Sequence, residues 1–182
     1  MLPKFLILLA CSATGAFATT KGVFNPPKGT SFLTIDYRVG FPMNVTTPGG
    51  LIAAVPIGSG TIKGRFNGHI VQNVSSSQEA ELVSDKGVFT TFDARYLFEN
   101  DDGERILATV LGATSYSSKD LHGLGTATLR TSIKGLEWVN TAMFVAEWHG
   151  RYGGRGADIE IFELTTGGRI DCEPIHAAFP PS

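Results

Sequence analysis

Cysteine is almost missing from this chain. Of two in 182 residues, Cys11 sits in an apolar N-terminal stretch and Cys172 near the C-terminus. If that stretch is removed, no intrachain disulfide can form and the core must hold by packing alone. A lone terminal thiol is more often incidental than catalytic, although a bridge through Cys172 between two chains stays open. Histidine is scarce too. His69, His122, His149 and His176 show no HxH, HxxxH or HExxH spacing, so the His/carboxylate cluster of a zinc or iron site is not expected. A G-x-S-x-G nucleophile elbow is lacking. The Gly-rich GSGTIKG is followed by no helical pattern and lies in no βαβ unit, which argues against a dinucleotide cofactor. No basic cluster occurs and the net charge is −2, so a nucleic-acid partner is not expected. No apolar run reaches the roughly twenty residues of a membrane span. Helical periodicity is hardly visible.

What is present points to β structure. Hydrophobic residues make up 42% and charged residues 18%, a globular composition, and 22 glycines accompany recurrent Val, Ile, Thr and Phe. Residues 1–18, MLPKFLILLACSATGAFA, carry one lysine, an apolar stretch and a small-x-small ending at Ala16-Phe17-Ala18. That layout predicts a secretory signal cleaved before Thr19, and hence secretion. Two sequons suit this compartment, Asn44-Val45-Thr46 and Asn73-Val74-Ser75, making Asn44 and Asn73 candidate glycosylation sites. A lead-in over 19–31 with a Pro-Pro break is expected to precede a single domain over 32–166. Residues 167–182 read as a tail on the surface.

Within the domain, SFLTIDYRVGF alternates, setting Phe32, Thr34, Asp36 and Arg38 opposite Leu33, Ile35, Tyr37 and Val39. PMNVTTPGG reads as a turn-rich connection. The next segment, LIAAVPIGSGTIKGRFNGHIVQNV, is punctuated by glycines of the kind that mark bulges and bends in a curved sheet. Strand patterns follow at 79–83 and 88–98. NDDG reads as a hairpin turn in which Gly103 takes positive φ. SSKDLHGLG reads as a loop with room for one helical turn, and TATLRTSI, LEWVNTAMFVAEWHG and ADIEIFELT as three strands. Eight or nine short strands predict an all-β fold. A single antiparallel β-barrel of about eight strands accounts for them best, since closure removes edges; a two-sheet sandwich is second.

The stretch VFTTFDARYLFENDDGERI poses the functional question. Asp93 and Arg95 share one face of a strand, with Phe92, Tyr96 and Phe98 assigned to the hydrophobic side. If the Asp–Arg face lines a cavity, Arg95 can polarise a carbonyl or phenolate while Asp93 holds it or acts as a base. If it meets water, the pair is an exposed ion pair of little value. The expectation adopted is the cavity. Tyr96 points the other way, so it joins Arg95 in one lumen only across a bulge. On the later strand Trp138, Asn140, Ala142, Phe144, Ala146 and Trp148 share a face, where Asn140 serves either to tie down a loop or to orient a ligand oxygen. His149, on the opposite face near a Gly-rich loop, is a candidate proton carrier at a barrel mouth, or a solvated strand end.

The pieces TPGG, PIGSGTIKGRFNGHI, FDARYLFENDDGERI, LRTS and WVNTAMFV stand in the order and spacing of a known family. Over positions 33 to 164 the chain resembles proteins classed as domain of unknown function 3237. The resemblance implies a small antiparallel β-barrel, and for some fungal relatives a place beside biosynthetic enzymes of secondary metabolism, with cyclase or isomerase roles. It also aligns Arg130 with a family arginine, a second cationic candidate. Two functions follow. One is a cyclase or isomerase without metal or nucleotide cofactor, folding a small, largely apolar metabolite in the barrel. There Asp93, Arg95 and His149 act, and Tyr96, Arg130, Trp138 and Asn140 bind. The other is a secreted carrier that binds without catalysis. A filled barrel serving as a structural surface protein is a weaker third, and homo-oligomers fit any of them.

Overall fold

The computed structural model describes residues 22–84, 87–151 and 153–176. The expected signal over residues 1–18 and its expected cleavage site before Thr19 lie outside the described residues. Ten strands form one antiparallel sheet: β1 (Lys28–Val39), β2 (Met43–Thr47), β3 (Gly50–Gly64), β4 (Gly68–Ile70), β5 (Ser76–Ser84), β6 (Gly87–Glu99), β7 (Arg105–Tyr116), β8 (Asp120–Arg130), β9 (Met143–Arg151) and β10 (Gly156–Thr165). Eight of them close a ring, running β1–β10–β9–β8–β7–β6–β5–β3 and back to β1. The barrel expected from the strand count is therefore the fold. β3 makes closure possible because it is long enough to serve two neighbours. Its first half pairs β2 and β5, its second half pairs β1, and β4 bridges it to β6 beyond the start of β5.

Alternation decides what lies inside. Leu33, Ile35 and Tyr37 of β1, Phe92, Ala94, Tyr96 and Phe98 of β6, Ile106, Ala108 and Val110 of β7, and Phe144, Ala146 and Trp148 of β9 are all buried. Each large side chain so buried stabilises the fold by about 1.5–3 kcal/mol. Phe32 breaks the expected alternation, for it is buried beside Leu33. The β1–β10 register shifts between Ser31 and Leu33, and that bulge turns two consecutive side chains inward.

Three segments depart from the sequence reading. PMNVTTPGG contains a strand, β2, whose Val-Thr-Thr pairs with β3; β-branching outweighed the flanking turn residues. The supposed loop DLHGLG is the start of β8. Its glycines are inward positions kept empty for a neighbour: a Cβ on Gly123 would lie 2.0 Å from the Trp148 ring, and one on Gly112 of β7 would lie 2.8 Å from it. Finally, Trp138 and Asn140 are not on a strand. Glu137–Asn140 is a 3₁₀ turn, and β9 starts only at Met143.

The two ends of the barrel differ. At one, the 131–142 connection folds across the opening. Val139 is buried there, with Ile133, Leu136, Trp138 and Ala142 packed on the core. Trp138 meets Phe32 edge-on at 5.5 Å and Phe144 at 6.0 Å between ring centroids. Among the described residues, the other end has no such cover. The lead-in is tied to the tail: Phe24 bridges Arg169, and the Asn25 amide donates to the Gly167, Gly168 and Arg169 carbonyls. β1 begins at Lys28, inside the expected lead-in. The Gly103 turn is as expected, with φ of 76°, and Cys172 is free and exposed.

Candidate active site at the open barrel end

The expectation that Asp93 and Arg95 look into a cavity is overturned. Both are exposed on the outer face of β6, while Phe92, Ala94, Tyr96 and Phe98 take the inner one. Strand pleating allows only one of the two sets inside, and the larger apolar set wins. Nor do Asp93 and Arg95 pair with each other, since neither joins any ion pair among the described residues.

His149 is also outside. It opposes His122 on β8 and Asp158 on β10, and lines an outer depression of about 660 Å³ with Lys63, Glu147 and Asp158. The charged side chains there are solvated. His122 Nε2 and Glu147 Oε1 meet at 2.8 Å, but both side chains are at least half exposed, so the contact is worth little.

Arg130, Asn140 and Trp138 gather at the closed end, where they build the cover. The Asn140 amide donates to the Thr131 and Glu137 carbonyls at 2.8 and 2.7 Å, and its oxygen accepts from the Thr131 amide at 3.0 Å. Arg130 donates to the Asn140 carbonyl. Asn140 is thus the loop-tying amide of the two alternatives. Both sequon asparagines, Asn44 and Asn73, are exposed.

The interior does hold a cavity, at the uncovered end. It has a volume of about 390 Å³, within the roughly 300–1,000 Å³ range of small-molecule sites. Its walls are largely apolar: Val39, Val55, Leu121, Ile159 and the tilted pair Phe92–Trp148, whose ring centroids lie 4.8 Å apart. Polar atoms enter from β1, β5, β6 and β7. Glu79 of β5 is half-buried, and its Oε2 accepts from the Tyr116 hydroxyl and, at 3.2 Å, from the Thr90 hydroxyl. Both donors converge on one oxygen. Among the described residues, Oε1 accepts no hydrogen bond.

Next to it, Ser77 donates to the Val55 carbonyl at 3.4 Å and shares a hydrogen bond of 3.3 Å with the Tyr37 hydroxyl. The Trp148 indole donates to buried Thr114 at 3.1 Å, which fixes the ring plane. Beneath, Tyr96 packs edge-on against Tyr37 with centroids 5.8 Å apart, and among the described residues its buried hydroxyl has no hydrogen-bond partner. Burial first, then the neighbouring Tyr37 phenol, holds the Tyr96 pKa well above the usual phenol value. Burial likewise raises that of Tyr37, against its hydrogen bond with Ser77. Both phenols therefore keep their protons throughout the neutral range.

Of the sequence candidates, only Tyr96 lies beneath this cavity. Glu79 was missed because its strand, SSSQEAELV, reads as polar. The usable signal was phase: Ser75, just before β5, and Ser77 and Glu79 on it alternate with the outward Ser76 and Gln78.

A closed antiparallel barrel with one covered end and one pocketed end defines the class, a small β-barrel with an interior ligand-sized site. The chain belongs to the family described as "Protein of unknown function (DUF3237)", whose profile matches residues 27–164. No curated protein matches it. Among solved structures it is similar to a protein of unknown function from Clostridium acetobutylicum ATCC 824, at 17% identity and TM-score 0.66, covering 78% of this chain and 99% of that one. It is also similar to a β-barrel-like protein from Acinetobacter baumannii AYE, at 22% identity and TM-score 0.63 over 78% and 98%. A third is an enzyme from Penicillium herquei, at 18% identity and TM-score 0.53 over 77% and 96%. At these identities the likeness is one of fold.

Proposed function

We propose that the protein is an isomerase or cyclase that needs no cofactor and acts on a small, largely apolar metabolite at the open barrel end. The observation that carries this is the Glu79 carboxylate, held through one oxygen by Tyr116 and Thr90 in an otherwise apolar cavity. Oε1 takes a proton from a carbon next to a substrate carbonyl. The C–H electron pair moves into the carbon framework and charge develops on the carbonyl oxygen, where the Tyr37 hydroxyl donates to it by turning its proton away from the Ser77 oxygen. Returning the proton to a different carbon completes an isomerisation. Ring closure results instead when the enolate carbon attacks a second carbonyl carbon of the same molecule; that C=O π bond opens and its oxygen takes back the proton held by Glu79. Confinement against the packed Phe92–Trp148 pair and the aliphatic walls supplies the orientation such steps need. The enzyme in the Penicillium herquei neighbour supports catalysis on this fold.

A surrogate tests this without the natural substrate. 2-Tetralone is an apolar ketone with exchangeable α-protons, and their loss in D₂O is read by proton NMR. The protein should accelerate exchange over buffer, and Glu79→Gln should lower the rate by at least about a hundredfold, the usual scale of general-base catalysis. Exchange at equal rates in both proteins removes Glu79 from the mechanism. Binding without any exchange leaves the carrier reading.

A further inference from the structure

The rim of the same cavity carries a cation whose placement indicates the substrate class. Arg155 lies in the β9–β10 hairpin loop among Gly153, Gly154 and Gly156, and it lines the cavity. Its φ is 55°, a left-handed conformation that glycine adopts without cost and an arginine does not. The loop has glycine on both sides, yet an arginine occupies the strained position. Two contacts hold it there: its carbonyl accepts from the Val39 amide at 3.0 Å, and its guanidinium sits 3.6 Å from the Phe41 ring centroid. No carboxylate pairs with it among the described residues. Glu79, the acidic group of the same cavity, is held by hydroxyls instead.

A cation at the rim and a carboxylate further in, with apolar walls between, select one orientation of one kind of molecule. We propose that the substrate is an amphipathic monoanion, an apolar or aromatic body bearing a carboxylate. Arg155 receives the carboxylate at the rim, in the two-pronged geometry guanidinium favours. Glu79 repels it from the interior, so the uncharged end reaches the proton-transferring groups. This inference rests on the cavity reading above, and the experiment separates the two.

2-Naphthoate and its neutral isostere 2-naphthamide are titrated by calorimetry at pH 7 and low salt. The wild-type protein should bind naphthoate about tenfold more tightly, a preference that shrinks as salt is added. Arg155→Gln should lose the preference while keeping its affinity for the amide and a cooperative thermal transition, its midpoint lowered only by the lost Phe41 contact, and Arg155→Lys should retain part of the preference. Equal binding of the two probes by the wild type, or a preference that survives Arg155→Gln, overturns the proposal. If 2-tetralone exchange persists in that case, the catalytic reading stands without it. Binding of neither probe overturns the proposal and counts against the cavity itself.

Discussion

Tyr96 shows how much can turn on a single oxygen. Its ring fills the barrel centre, but its buried hydroxyl finds no partner, and an unmet buried donor costs about 1–3 kcal/mol. Tyr96→Phe should therefore stabilise the protein by about 1 kcal/mol, a rise of about 2–4 °C in thermal midpoint for a chain of this length. The same residue shapes the alkaline limb of stability. Below about pH 10 the phenol is protonated in both folded and unfolded chains and contributes nothing. Above it the unfolded phenol ionises while the folded one, its pKa raised by burial, does not. The unfolded state then binds fewer protons, and stability falls as pH rises. Chemical denaturation at a series of pH values should show a shallower fall for Tyr96→Phe than for the wild type. A slope identical in both would mean that Tyr96 titrates normally.

Among the elements, β8 is the one most misleading in sequence. Gly123 and Gly125 look like punctuation, yet they lie inside a strand where the Trp148 ring leaves no room for a side chain on Gly123 and the Leu111–Gly112 backbone none on Gly125. A small residue paired with a large one on the neighbouring strand is invisible to a local reading, because Trp148, the β9 partner of Gly123, is 25 positions away in the chain. Gly123→Ala should cost about 1–3 kcal/mol by overpacking and alter Trp148 fluorescence. Adding Trp148→Phe should return part of that loss in a double-mutant cycle. Strictly additive effects would show that the two positions do not share space. The β6 face was misassigned for a related reason. Alternation separated Asp93 and Arg95 from Phe92, Tyr96 and Phe98 but carried no label for the inside, and the burial of the aromatic set supplied it. Asn140 misled through its neighbours. A strand pattern runs through it, but its amide satisfies local backbone groups and turns the chain.

At the scale of the molecule, strand number and closure were legible because each strand carries its own period and the turns between them are marked. The site was not, since it is assembled from β1, β5, β6 and β7 by closure and from no contiguous motif. Export is a proposal of the same scale, resting on residues 1–18. Secreted material should begin at or close to Thr19 on N-terminal sequencing; an intact Met1 in that material defeats it.

The plugged end has a kinetic consequence. With Trp138 and Val139 corking one side, the described residues leave the pocketed end as the doorway, so on the proposed reading whatever is made inside must back out past Arg155 before another molecule can come in. Product and reactant thus compete for one passage, so inhibition by product should be purely competitive, and two reactants can never queue from opposite sides.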